Sequence, residues 1–247
     1  MSAIIDVQNV SKSFGGVLAN TEVSMQVEQG GITGLIGPNG SGKTTLFNSI
    51  VGYHPIDSGT IHFEGQEISR LPVQKIARLG MLRTFQQTRI YSAMNCVENM
   101  LISLPHHKMS FWDAFSRNTA EDRKRAEMLL DFVGLYEKRW LRAGSLSFGQ
   151  QKLLEFAMAL MNEPTVLLLD EPTAGINPTL INGLIDRLKK ANTEFGITLF
   201  IIEHNMRVIM NMADTIYCLA HGKLLAKGVP EDIQNDQRVI DAYLGAH

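Results

Sequence analysis

The sequence predicts an α/β fold, with an antiparallel strand layer in front and a helical insertion in the middle. Three observations predict it. Residues 165–169 and 197–202 are continuous apolar runs, as parallel strands covered on both faces require. The first thirty residues roughly alternate at period two between pairs of glycines. From about Pro72 to Met161 the pattern turns mostly helical.

Each element follows in order. Residues 4–10 and 22–27 read as strands, with Gly15-Gly16 and Gly30-Gly31 as turns. Residues 61–63, before Gly65, add another strand. Residues 121–130 form a charged, solvated helix. Pro178 opens a helix with Leu180, Ile181, Leu184, Ile185 and Leu188 on one apolar face. Residues 216–219 and 224–226, around His221-Gly222, form a closing hairpin, and residues 239–244 a short amphipathic helix. There are no repeats and no low-complexity linker. The 247 residues suit one domain with a sizeable insertion: a core of residues 1–86 and 161–247, and a helical part over about 87–160.

Bulk chemistry narrows the function. Apolar residues make up 45%, enough for a proper core, and 23 basic against 25 acidic residues give a net charge of −2. That leaves no basic footprint for nucleic acid and no polybasic membrane anchor. Cys96 and Cys218 match no metal spacing and read as reduced, structural thiols of a cytosolic protein. The N-terminus lacks a basic start, so no signal peptide is expected. The apolar runs are too short to span a bilayer, so the chain is expected to be soluble unless something holds it at a membrane.

Gly37, Pro38, Asn39, Gly40, Ser41, Gly42, Lys43 and Thr44 fit the pattern G-x-x-x-x-G-K-[ST], with Thr45 following. The stretch follows a strand, residues 32–36, and precedes a helix bearing Leu46, Phe47, Ile50 and Val51, which is the context this phosphate loop requires. The glycines let successive N–H groups turn inward around phosphates, Lys43 reaches the outer phosphates, and the Thr44 hydroxyl can ligate Mg²⁺. Asp170 and Glu171 end a buried strand, where ligands bind in open α/β sheets. Asp170 would hold Mg²⁺ through its water shell, and Glu171 would take a proton from an attacking water. His204 ends another strand and could donate a hydrogen bond to the terminal phosphate or that water. Gln86, between the strand layer and the insertion, could touch Mg²⁺ or the water and report occupancy. Phe14 could stack on adenine, although apolar patterning alone places it in the core. A second helix head, at residues 145–151, is also a ready anion site.

Phe14, the loop 37–44, Gln86, Leu146-Ser147-Phe148-Gly149-Gln150, residues 167–171, Ala174-Gly-Ile-Asn177 and His204 stand in the order of an ATP-binding-cassette (ABC) ATPase. The chain resembles that family over essentially its whole length. The resemblance implies a phosphate-loop NTPase with a RecA-like core, an antiparallel β subdomain and an α-helical subdomain. It implies ATP and Mg²⁺ as ligands. It also explains the second anion site: two cassettes pack head to tail, and Leu146, Ser147, Phe148, Gly149 and Gln150 would serve the partner's ATP. Two positions depart from the family pattern. Phe148 stands where the signature usually has Gly, and Asn177 where an Asp is common.

Residues 83–87 (RTFQQ), 97–101, 147–151 (SFGQQ), 174–178 (AGINP), 201–206 and 242–245 (AYLG) are similar to the ATP-binding subunits of branched-chain amino acid importers and of the related urea and amide importers. Exporters of lipopolysaccharide or lipid precursors carry similar cassettes. The resemblance implies a second cassette, identical or different, two membrane permease subunits, an external or periplasmic solute-binding protein, no nucleic acid, and a peripheral place on the cytoplasmic face of the inner (plasma) membrane.

Overall fold

The computed structural model describes residues 2–84, 90–104 and 119–244. In chain order the elements are β1 (Ala3–Phe14), β2 (Val17–Glu28), β3 (Ile32–Ile36), α1 (Lys43–Ile50), β4 (Ser58–Phe63), β5 (Gln66–Glu67), α2 (Val73–Arg78), β6 (Met81–Arg83), α3 (Cys96–Ile102), α4 (Ala120–Phe132), α5 (Phe148–Leu160), β7 (Val166–Asp170), α6 (Pro178–Phe195), β8 (Thr198–Ile202), α7 (Met206–Met210), β9 (Thr215–Ala220), β10 (Lys223–Gly228), α8 (Pro230–Asn235) and α9 (Gln237–Leu244).

Two compact units are present. The first takes Met1–Arg83, Thr165–Pro172 and Lys189–His247, and the second Thr84–Pro164 and Thr173–Leu188. The first holds two sheets. One is antiparallel, in the order β2-β1-β4-β5, and the other runs β10-β9-β3-β8-β7-β6. In the second sheet β9, β3, β8, β7 and β6 are parallel, and β10 closes the edge as the antiparallel arm of a hairpin. All five residues of β3, of β7 and of β8 are buried, as unalternating apolar runs demand. The fold is therefore the α/β architecture with an antiparallel layer that the sequence implies.

One core joins the two sheets. Ile5, Val7, Val23 and Val27 of the antiparallel layer, Leu46, Phe47 and Ile50 of α1, and Phe200 and Ile202 of β8 all belong to it. Phe47 and Phe200 meet with ring centroids 4.5 Å apart. Each such side chain, fully buried, stabilises by about 1.5–3 kcal/mol. The core therefore clamps α1, the helix that carries the phosphate loop.

The second unit is helical. Helices α3, α4 and α5 pack on one another and bury Met100, Leu129, Leu130, Leu154 and Phe156. Each begins with a capping box: Asn95 with Glu98, Thr119 with Asp122, and Ser147 with Gln150.

Two expectations need correction. The stretch from Pro72 to Met161 is mostly helical among its described residues, as expected, but it also holds β6, which pairs in parallel with β7 at the sheet edge. A three-residue strand has too little length to show a period. Strands β1 and β2 are each 12 residues long, well beyond their alternating segments, because register shifts let them continue pairing past each break in the pattern. On α6 the buried face is Leu184, Ile185 and Leu188, whereas Leu180 is 47% exposed. Among the described residues no helix is long and apolar enough to cross a membrane.

Candidate active site

The parallel strands bring the candidate residues to one edge. Leu35 of β3 and Asp170 of β7 both pair with Ile202 of β8, so the three lie in one row. Just past that row the phosphate loop leaves β3, Glu171 leaves β7, and His204 follows β8. This is the carboxyl edge of the strands, where open α/β sheets bind ligands.

The loop's shape depends on glycine at two points. Gly37 has φ +144°, and a Cβ there would lie 2.0 Å from the Leu219 carbonyl oxygen. Gly42 has φ +100°, and its Cβ would lie 2.2 Å from the Ala19 carbonyl oxygen. Gly42 caps α1, whose first turn carries no acidic residue, so no carboxylate there competes with an anion for the helix head's N–H groups and positive dipole end. Asn20, fully buried, donates to the Gly42 carbonyl (3.2 Å) and ties the loop to β2.

Lys43 is 5% exposed, and its ammonium donates to the carbonyls of Gly37 (2.8 Å) and Pro38 (2.9 Å). Burial holds its pKa below the usual lysine value, against the opposing pull of Glu171, Cys218 and Asp170. The Thr44 side is exposed and Thr45 half-buried, while Ser41 is buried.

Asp170 is 2% exposed. Its Oδ2 accepts from an Arg83 guanidinium nitrogen at 2.6 Å, and Arg83 also bonds the Asn48 side-chain oxygen. Asp170 Oδ1 has no hydrogen-bond partner among the described residues. A buried carboxylate oxygen left open is costly and suits a hard cation or its water shell, so the site fits Mg²⁺. Glu171 takes φ +51°, a conformation uncommon outside glycine, while its N–H donates to the Ile202 carbonyl (2.9 Å). Its carboxylate Oε1 meets His204 Nε2.

Phe14 is 44% exposed, so the core placement from apolar patterning fails; it stands edge-on to His54, centroids 5.2 Å apart. The ring ends β1, with the Lys12 ammonium 5.1 Å from its centroid. Gln86 lies outside the described residues.

In the second unit, the Ser147 hydroxyl accepts from Gln150 N–H (3.4 Å), and the Gln150 side chain accepts from Ser147 N–H (3.1 Å). Two N–H groups at this helix head are therefore satisfied within the capping box. Leu146 and Gly149 are buried, and the Phe148 ring packs on Gly175, whose added Cβ would lie 2.9 Å from it. Asn177 accepts from the N–H (3.1 Å) and hydroxyl (2.9 Å) of Thr179 and so caps the start of α6.

Sequence reasoning passed over Arg83, Asn20 and Asn48. Arg83 carried one signal, a cation among apolar residues just before Gln86, but its partner lies 87 positions away.

A phosphate loop between a parallel strand and a helix, an acid pair on the adjacent edge and an antiparallel front layer define a phosphate-loop ATPase of the cassette class. The chain belongs to the ABC transporter family: residues 20–174 match the family model described as ABC transporter. Residues 223–247 match a second, described as branched-chain amino acid ATP-binding cassette transporter. The chain is 39% identical to the high-affinity branched-chain amino acid transport ATP-binding protein BraF of Pseudomonas aeruginosa, over 98% of both chains. It is similar to an ATP-binding cassette of an ABC transporter solved in its ADP conformation, at TM-score 0.89 and 32% identity, over 99% of this chain and 100% of the other. It is also similar to a dimeric cassette in a post-hydrolysis state with ADP and Pi, at TM-score 0.78 and 25% identity, over 92% of this chain and 98% of the other. The chain is an ATP-binding, ATP-hydrolysing cassette.

Proposed function

We propose that this cassette energises a membrane importer of branched-chain amino acids, working as a peripheral subunit at the cytoplasmic face. The observation that carries the solute class is the 39% identity to BraF across nearly the whole of both chains. The match over residues 223–247 points the same way. The dimeric relative supports a second cassette as partner. By the same resemblance, permease subunits and a solute-binding protein complete the assembly.

The chain's own groups divide the work. The free N–H groups at the head of α1 and the Lys43 ammonium hold the phosphates, and Phe14 offers a face to adenine. To reach a phosphate, Lys43 gives up the Gly37 and Pro38 carbonyls. Glu171 takes a proton from water in line with the terminal phosphate, and His204 holds that carboxylate in place. Thr44, Asp170 and Gln86 would hold Mg²⁺, which when bound neutralises charge on the phosphoryl oxygens. Ser147, Gly149 and Gln150 would meet the partner's nucleotide, the Ser147 hydroxyl donating to a phosphate oxygen while it still accepts from the Gln150 N–H. Lys43→Ala should lose nucleotide affinity, read by a labelled-ATP titration.

The test is to tag the chain in its native cells, solubilise membranes in mild detergent and identify what co-purifies. Multi-spanning permeases with a second cassette are the expected result. Recovery only from the soluble fraction would overturn the importer reading.

A further inference from the structure

The C-terminal helix touches the phosphate loop. Tyr243 on α9 accepts, through its hydroxyl, a hydrogen bond from the backbone N–H of Gly37 at 2.8 Å. The carbonyl of the same glycine accepts from the Lys43 ammonium at 2.8 Å. One residue is thus held on both sides, by the C-terminal helix and by the lysine assigned to the phosphates. Gly37 has little room to move otherwise, since its α-carbon faces the Leu219 carbonyl at the end of β9.

Helix α9 is lightly anchored. It has eight residues, of which Val239 is buried, while Ile240 is 37% and Leu244 69% exposed. Asp236 starts it, accepting from Arg238 N–H (2.9 Å) and pairing with the Arg238 guanidinium (2.6 Å). So short a helix owes its order to tertiary contacts, here with α8 and β10. The Tyr243 bond adds a direct tie from the helix to the phosphate loop. Burial pushes the phenol pKa up to about 12, so the hydroxyl stays neutral.

We infer that Tyr243 is a positioning residue for nucleotide binding, coupling the docking of α9 to the geometry of the phosphate loop through Gly37. The inference rests on the assignment of that loop to ATP. When Lys43 leaves the Gly37 carbonyl for a phosphate, Gly37 loses one of its two tethers. The Tyr243 bond then keeps the strand-to-loop junction from turning, and a junction displaced by an ångström misplaces every donor beyond it. Linkage makes the effect reciprocal: if a docked α9 favours nucleotide, bound nucleotide must favour a docked α9.

The test uses the full chain and a fluorescent ATP analogue with Mg²⁺. Tyr243→Phe, which removes one oxygen atom, should weaken binding about tenfold, within the usual range of such couplings. Equal affinity in a folded Tyr243→Phe chain would overturn the inference. A second measurement needs no variant: amide hydrogen exchange across α9 in the unsubstituted chain, with and without nucleotide. Slower exchange with nucleotide is expected, and identical exchange overturns the coupling. A merely structural role for Tyr243 would lower the melting temperature of Tyr243→Phe and leave its affinity for the analogue at the parent's value. Lys43→Ala separates the two claims. If it loses the analogue while Tyr243→Phe binds like the parent, only this inference falls. If it binds like the parent, the ATP assignment beneath it falls too.

Discussion

At Gly37 and Glu171 the backbone takes left-handed angles for different reasons. Gly37 has no space for a methyl group, which would meet the Leu219 carbonyl oxygen at 2.0 Å. Gly37→Ala should destabilise the chain by about 2–4 kcal/mol, through forced backbone movement and strained φ together. A thermal melt reads the stability, and a nucleotide titration should show affinity lost with it. Glu171 has a Cβ and bears the strain at a site where the carboxylate meets His204. The phosphate loop and the acid pair were legible from sequence because their chemistry fixes residue type and spacing at short range. Arg83 was not, because its pairing with Asp170 depends on an edge strand three residues long. Phe14 was misplaced because apolar patterning cannot tell a core ring from one displayed at a strand end.

Among elements, the helix starts carry the clearest local instructions. The capping box at Ser147 makes α5 a well-capped helix before any partner is considered. Ser147→Ala should therefore cost about 0.5–2 kcal/mol of stability, seen in a denaturant titration. The side-chain oxygen of Asn177 caps α6. An aspartate presents the same acceptor with a favourable charge at a helix head. Asn177→Asp should leave stability within about 0.5 kcal/mol of the parent, or slightly above it. A loss of 2 kcal/mol would mean that Asn177 does something other than cap. Strands β7 and β8 were evident as apolar runs and β3 as the strand that the phosphate loop follows, while β6 was hidden by its length. The buried face of α6 was legible at Leu184, Ile185 and Leu188, but the pattern could not show that Leu180 would face solvent.

At the scale of the molecule, the α/β plan with its antiparallel layer followed from the order of alternating and continuous apolar segments. The strand order did not, since β10-β9-β3-β8-β7-β6 depends on pairings between segments far apart in sequence. Both cysteines are free and buried, and burial pushes both thiols up, Cys218 to about 11. A buried thiol with a raised pKa has little thiolate at neutral pH. The folded chain should react with a thiol reagent at least tenfold more slowly than the denatured chain, and equal rates would mean that the core opens readily. The central claim is that this cassette hydrolyses ATP with Glu171 as the proton acceptor. The most direct test is phosphate release by the assembly purified from its native membranes, with the parent chain and with Glu171→Gln. The amide keeps the shape and cannot take the proton, so ATP binding should persist while turnover at the substituted sites falls about a hundredfold or more. Steady-state hydrolysis equal to the parent would contradict the account.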